Sequence, residues 1–77
     1  MDRDEALEAC GHGRLTEALV MPADDANGWV LILVDERGGH HVFTDHTGTE
    51  KLYHDLDQAT AVARALGFGS VRVEEPF

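Results

Sequence analysis

The chain has 77 residues, enough for one domain with one core and no second. Fifteen acidic residues against six lysines and arginines give a formal charge of −9. That balance argues against direct binding to nucleic acid or an anionic membrane, which repel it, and favours basic protein surfaces or cations.

Hydrophobic residues form 43% of the chain, too many for a disordered tail. The single cysteine, Cys10, excludes an internal disulfide and suits a reducing compartment. The acidic start, Asp2, Asp4 and Glu5, lacks the basic and apolar regions of a signal peptide. The longest apolar run, residues 29–34, is far short of the ~20 residues that span a bilayer. A cytoplasmic protein of residues 1–77, single-domain, monomeric or a small homo-oligomer, is the expectation.

Residues 4–10 read as a short helix with acids in its first turn and Gly11 as its stop. Residues 15–21 fit either period, since Leu15, Leu19 and Val20 have helical spacing. A strand in the second half is favoured. Asn27-Gly28 is a turn signal. Residues 29–34, apolar on both faces, predict a central strand. Residues 35–39 turn, 40–45 alternate as a strand, 46–48 turn again, and 49–53 make a fourth strand.

Asp55 then caps a helix over 56–66, with Gln58 three residues later and Gly67 as the stop. Its apolar stripe is Leu56, Ala59, Val62, Ala63 and Leu66. Residues 71–74 predict a last strand. The expected fold is α+β, a two-layer sandwich with an antiparallel sheet of four or five strands under one long helix and a short N-terminal one. If strand 49–53, the helix and the last strand are neighbours, they form a βαβ crossover. Leu7 and Leu15 are the expected cover for the sheet's other face. Failing that, the face is an interface and the protein dimerises.

Strand direction sorts the acids. The turn at Asp35 and Glu36 closes one end of the sheet. The loops at Asp24, Asp25 and Asp45 close the other. A fourth strand running back places Asp55 and Asp57 at the Asp35 end, and the last strand brings Glu74 and Glu75 there too. Six carboxylates are thus expected at one pole, as the surface that meets a partner.

Other chemistries are weaker. His40 and His41 point to opposite faces of a strand, and neither a CxxC pair nor an HExxH motif accompanies Cys10 and His12, so no metal is expected. Residues 24–28 lack calcium-loop spacing. Ser70 is the only serine. Cys10, at a helix C-terminus among acids, should hold its proton rather than act as a thiolate. No glycine-rich phosphate loop is present. No enzyme and no cofactor is expected. Trp29 and Phe43 read as core.

Two resemblances add to this. Gly28 and residues 29–33, with Leu56-Asp57-Gln58-Ala59, Leu66-Gly67 and Val71-Arg72-Val73, resemble small accessory proteins of plasmids and other bacterial mobile elements. The profile of a tiny, acidic, one-domain chain is also similar to anti-CRISPR proteins of phages and mobile elements. That resemblance implies an inhibitor whose acidic surface imitates DNA and blocks a Cascade-type CRISPR effector, a basic nucleic-acid-binding partner. The alternative is a non-enzymatic interaction or dimerisation module of a mobile-element operon.

Overall fold

A computed structural model describes residues 1–23 and 28–74. The elements in chain order are α1 (Arg3–Gly11), β1 (Leu15–Pro22), β2 (Trp29–Asp35), β3 (His40–Val42), α2 (Leu56–Ala65) and β4 (Arg72–Val73). The asparagine of the expected 27–28 turn, together with Asp24, Asp25, Glu75 and Phe77, lies outside the described residues.

Local chemistry sets the helix ends. Asp2 accepts the Glu5 amide at 2.9 Å, and Glu5 reaches back to the Asp2 amide at 3.3 Å. This reciprocal pair satisfies two amide donors at the start of α1. The stop comes later than expected. Gly13, at φ +69°, turns the chain and donates its amide to the Cys10 carbonyl at 3.1 Å. In α2, Asp55 accepts the Asp57 amide at 2.9 Å.

The segment with two possible periods is strand along its whole length. β1 pairs antiparallel with β2 from Leu15 opposite Asp35 to Pro22 opposite Trp29, with an irregularity between Leu15 and Glu17. Pairing overrides the helical spacing and alternates the side chains across two faces.

The sheet has four strands in the order β3-β2-β1-β4 and is mixed. β2 and β3 are antiparallel, but β4 runs parallel to β1, with Arg72 opposite Leu19 and Val73 opposite Val20. Two expectations are corrected here. The sheet is not wholly antiparallel, and residues 49–53 form no strand. They make only single bridges, Thr44 with Glu50 and Trp29 with Tyr53. The chain therefore crosses from the β3 edge to the opposite edge through α2, and 49–53 does not neighbour β4.

One face of the sheet carries the core. Ala18, Val20, Leu31 and Leu33 pack with Phe43, Tyr53, Ala59, Ala63 and Leu66, and Ala6 of α1 joins the same cluster. Both helices thus lie on this face. They bury alanines, Ala6 and Ala9 in one and Ala59 and Ala63 in the other, so their backbones come close to the strands. Leu7 is 41% exposed, so α1 does not cover the second face. On that face Leu19, Val30 and Val34 are 2%, 6% and 8% exposed, and Met21 and Ile32 are half-buried.

Leu31 is fully buried at the centre of this cluster. Leu31→Ala is expected to destabilise the fold by about 3 kcal/mol through lost contacts and a cavity. The shift in urea unfolding midpoint measures it.

Candidate functional site

The Trp29–Tyr53 bridge decides where the acids go. Trp29 donates to the Tyr53 carbonyl at 2.7 Å and Tyr53 donates back at 2.9 Å. Gly28 permits this approach, because a β-carbon there would stand 3.1 Å from the Tyr53 carbonyl oxygen. Residue 53 therefore lies at the Trp29 end of the sheet, and so do Asp55 and Asp57, which follow it.

β4, parallel to β1, also runs toward that end, and the Glu74 amide bonds the Val20 carbonyl at 2.9 Å. The six carboxylates do not form one pole. Asp35 and Glu36 stand at one end, with Asp55, Asp57 and Glu74 in the opposite half. Glu75 lies outside the described residues.

The two groups differ in chemistry. Asp35 is a structural residue of the β2–β3 turn. Its Oδ1 accepts the amides of Arg37 at 2.9 Å and Gly39 at 2.7 Å, and its Oδ2 meets His41 Nε2 at 2.8 Å. The bond with His41, the Gly39 amide, the Arg37 amide and the imidazole charge together outweigh desolvation and hold its carboxyl below the usual range. Glu74 and Glu17 both pair with Arg72, at 2.9 and 3.3 Å, on the exposed side of the sheet.

The Trp29 end carries a feature absent from the sequence reading. Both helices begin near it. The Met1 amino group donates to the Val42 carbonyl at 3.1 Å, and Thr44 donates to the Met1 carbonyl at 2.8 Å. These bonds tie the start of α1 to the β3 edge. Between the two helices and the 43–53 segment opens a cleft of about 470 Å³. Phe43, Tyr53, Val62 and Leu66 contribute apolar surface. Asp2, Asp4 and Asp45 bring carboxylates, and Arg3 and Lys51 bring cations. Gln58, in the turn that follows Asp57, also lines it.

The carboxylates are held in place. Asp45 Oδ1 accepts the Thr47 hydroxyl at 2.6 Å and the amides of Thr47 and Thr49 at 2.8 and 3.1 Å. The two Thr47 bonds do most to lower its pKa, with help from the Thr49 amide and the nearby His46. Tyr53 is 6% exposed, and burial raises its phenol pKa. Its hydroxyl forms no hydrogen bond among the described residues. No fully buried side-chain oxygen among them lacks a partner, so this hydroxyl is not fully enclosed, and Tyr53 is one of the residues that line the cleft.

Nothing comparable surrounds the other candidates. Burial pushes the Cys10 thiol up, so it stays protonated at neutral pH. Among the described residues, no group of three or more His, Cys, Asp or Glu is placed to hold a metal ion. No helix among them is long and apolar enough to cross a membrane. Asp2 and Asp4 escaped the sequence reading because they read only as the acidic start of α1, where Asp2 caps the helix and Asp4 lies in its first turn. The capping signal located the helix start but not its neighbour across the cleft.

No protein-family model matches the chain, and no curated protein or solved structure is detectably similar to it.

The Asp35 bonds predict a pH dependence. Its folded pKa is depressed, so the stability it contributes is present above the unfolded carboxyl value. That stability is lost as pH falls through the folded value. His41→Ala removes the largest cause. Carboxyl NMR titration is expected to show Asp35 moving up toward an ordinary aspartate. An unmoved titration rules out the His41 contact as the cause.

Proposed function

We propose that the protein binds a basic, nucleic-acid-binding protein surface in place of nucleic acid, and thereby inhibits it. The observation that carries this reading is the placement of the charge. Among the described residues no charged side chain is buried, so the twelve acidic side chains and six lysines and arginines they hold are carried at the surface. Lysines and arginines spaced for phosphates accept carboxylates at comparable spacing, and the condensed ions released on contact drive association.

The contact surface is assigned to the Trp29 end. Asp2, Asp4, Asp45, Asp55 and Asp57 stand on the elements that surround the cleft there, three of them lining it. Asp35 has both oxygens engaged within its turn, which makes it a poorer contact. The resemblance in size and charge to anti-CRISPR proteins makes a Cascade-type effector the first partner to test. A second reading is strand addition at β4, a two-residue edge strand whose Val73 is 38% exposed.

Competition between this protein and fluorescent DNA for the purified effector tests both. Mimicry predicts affinity that falls steeply between low and moderate salt. The double variant Asp4→Lys with Asp57→Lys is expected to weaken binding about tenfold or more, and Glu36→Lys much less. Affinity indifferent to salt and to these reversals removes mimicry and leaves strand addition.

A further inference from the structure

We propose that the cleft between α1 and α2 receives an arginine side chain of the protein partner, with an apolar neighbour in the partner's sequence. The inference rests on the binding role argued above and names the anchor of that contact.

Three independent features converge. The floor is apolar and aromatic, with Phe43 3% exposed and Tyr53 beside it, which suits the stem of a long side chain and the face of a guanidinium. Asp2 and Asp45 use Oδ1 for their own backbones, leaving Oδ2 of each for an incoming N–H. Tyr53, 6% exposed, lines the cleft, and its hydroxyl is not fully enclosed and has no partner among the described residues. A donor seated within its reach gives it a direct bond in place of water.

The rim also discriminates. Its three carboxylates outnumber Arg3 and Lys51, and with the lining His46 neutral a cation is favoured. Those two cations disfavour a bare polyamine and suit a peptide whose main-chain carbonyls meet them. Arginine fits better than lysine, because its planar fork stacks on rings and bonds carboxylates with two parallel N–H groups. A volume of about 470 Å³ exceeds one side chain, so a flanking apolar residue enters as well. Arginine anchors seated in desolvated pockets are common centres of binding energy.

The test titrates the full chain with the blocked peptide acetyl-Gly-Arg-Leu-amide, followed by amide and side-chain NMR. The control replaces arginine by citrulline, which has the same shape and no charge. Saturable shifts at Phe43, Tyr53 and Val62 are expected, with affinity reduced about tenfold for the citrulline peptide.

Tyr53→Phe keeps the ring and Asp45→Asn keeps an acceptor for the turn, so both variants fold, and each is expected to weaken the arginine peptide several-fold. Equal affinity for the two peptides, or shifts of equal size at Glu36, overturns the proposal. The DNA competition separates the two readings. Salt-labile displacement that persists in Tyr53→Phe, without peptide binding, sinks the arginine seat alone. Peptide capture by the cleft, with no displacement of DNA, sinks mimicry and leaves the cleft's chemistry standing.

Discussion

Trp29 and Tyr53 exchange both backbone hydrogen bonds, at 2.7 and 2.9 Å, and most of the molecule's layout depends on that exchange. β3 pairs with β2 only as far as Val42 opposite Ile32. Beyond that point the chain makes an excursion through residues 44–52 and returns to the same edge of β2 at Tyr53. The return hands α2 its starting point. From there α2 crosses the face of the sheet, and the chain reaches the far edge, where β4 lies parallel to β1. Gly28 is the residue that tolerates the approach.

The same exchange creates the cleft. It sets α2 so that Gln58, Val62 and Leu66 line the same cleft as the start of α1, which the Met1 and Thr44 bonds hold against the β3 edge. Helix N-termini favour acidic residues, because the exposed amide donors carry partial positive charge. Two such termini brought to one region concentrate carboxylates there for reasons of local stability. The carboxylates of Asp2, Asp45 and Asp55 accordingly have fixed structural positions. Preorganisation of this kind lowers the entropy lost on binding.

Asp35 shows the opposite case. Both of its oxygens are engaged, Oδ1 by the Arg37 and Gly39 amides and Oδ2 by His41, whereas the bonds to Asp45 all fall on Oδ1. An acid so engaged stabilises a turn and has less to offer a partner. Equal weight for every carboxylate is therefore a poor guide to a contact surface. A charge count measures long-range attraction, whereas a site also needs unengaged oxygens and an adjoining surface.

Both helices, the hairpin strands, the cap residue Asp55, and the stripe of Ala59, Ala63 and Leu66 were legible in the sequence. Each depends on residues within a few positions of one another, through periodicity and capping. The strand character of 15–22 was half legible, because its alternation is decided by the partner β2. The partner of β4, the failure of 49–53 to form a strand and the division of the acids between two ends were not legible. They depend on hydrogen bonds between residues far apart in the chain, where no local period or spacing carries a signal. Sequence alone determined that the protein is small, acidic and α+β. Tertiary structure alone decided where the acid lies and that a cleft stands beside it, because a single backbone bridge sets the direction in which α2 leaves the sheet.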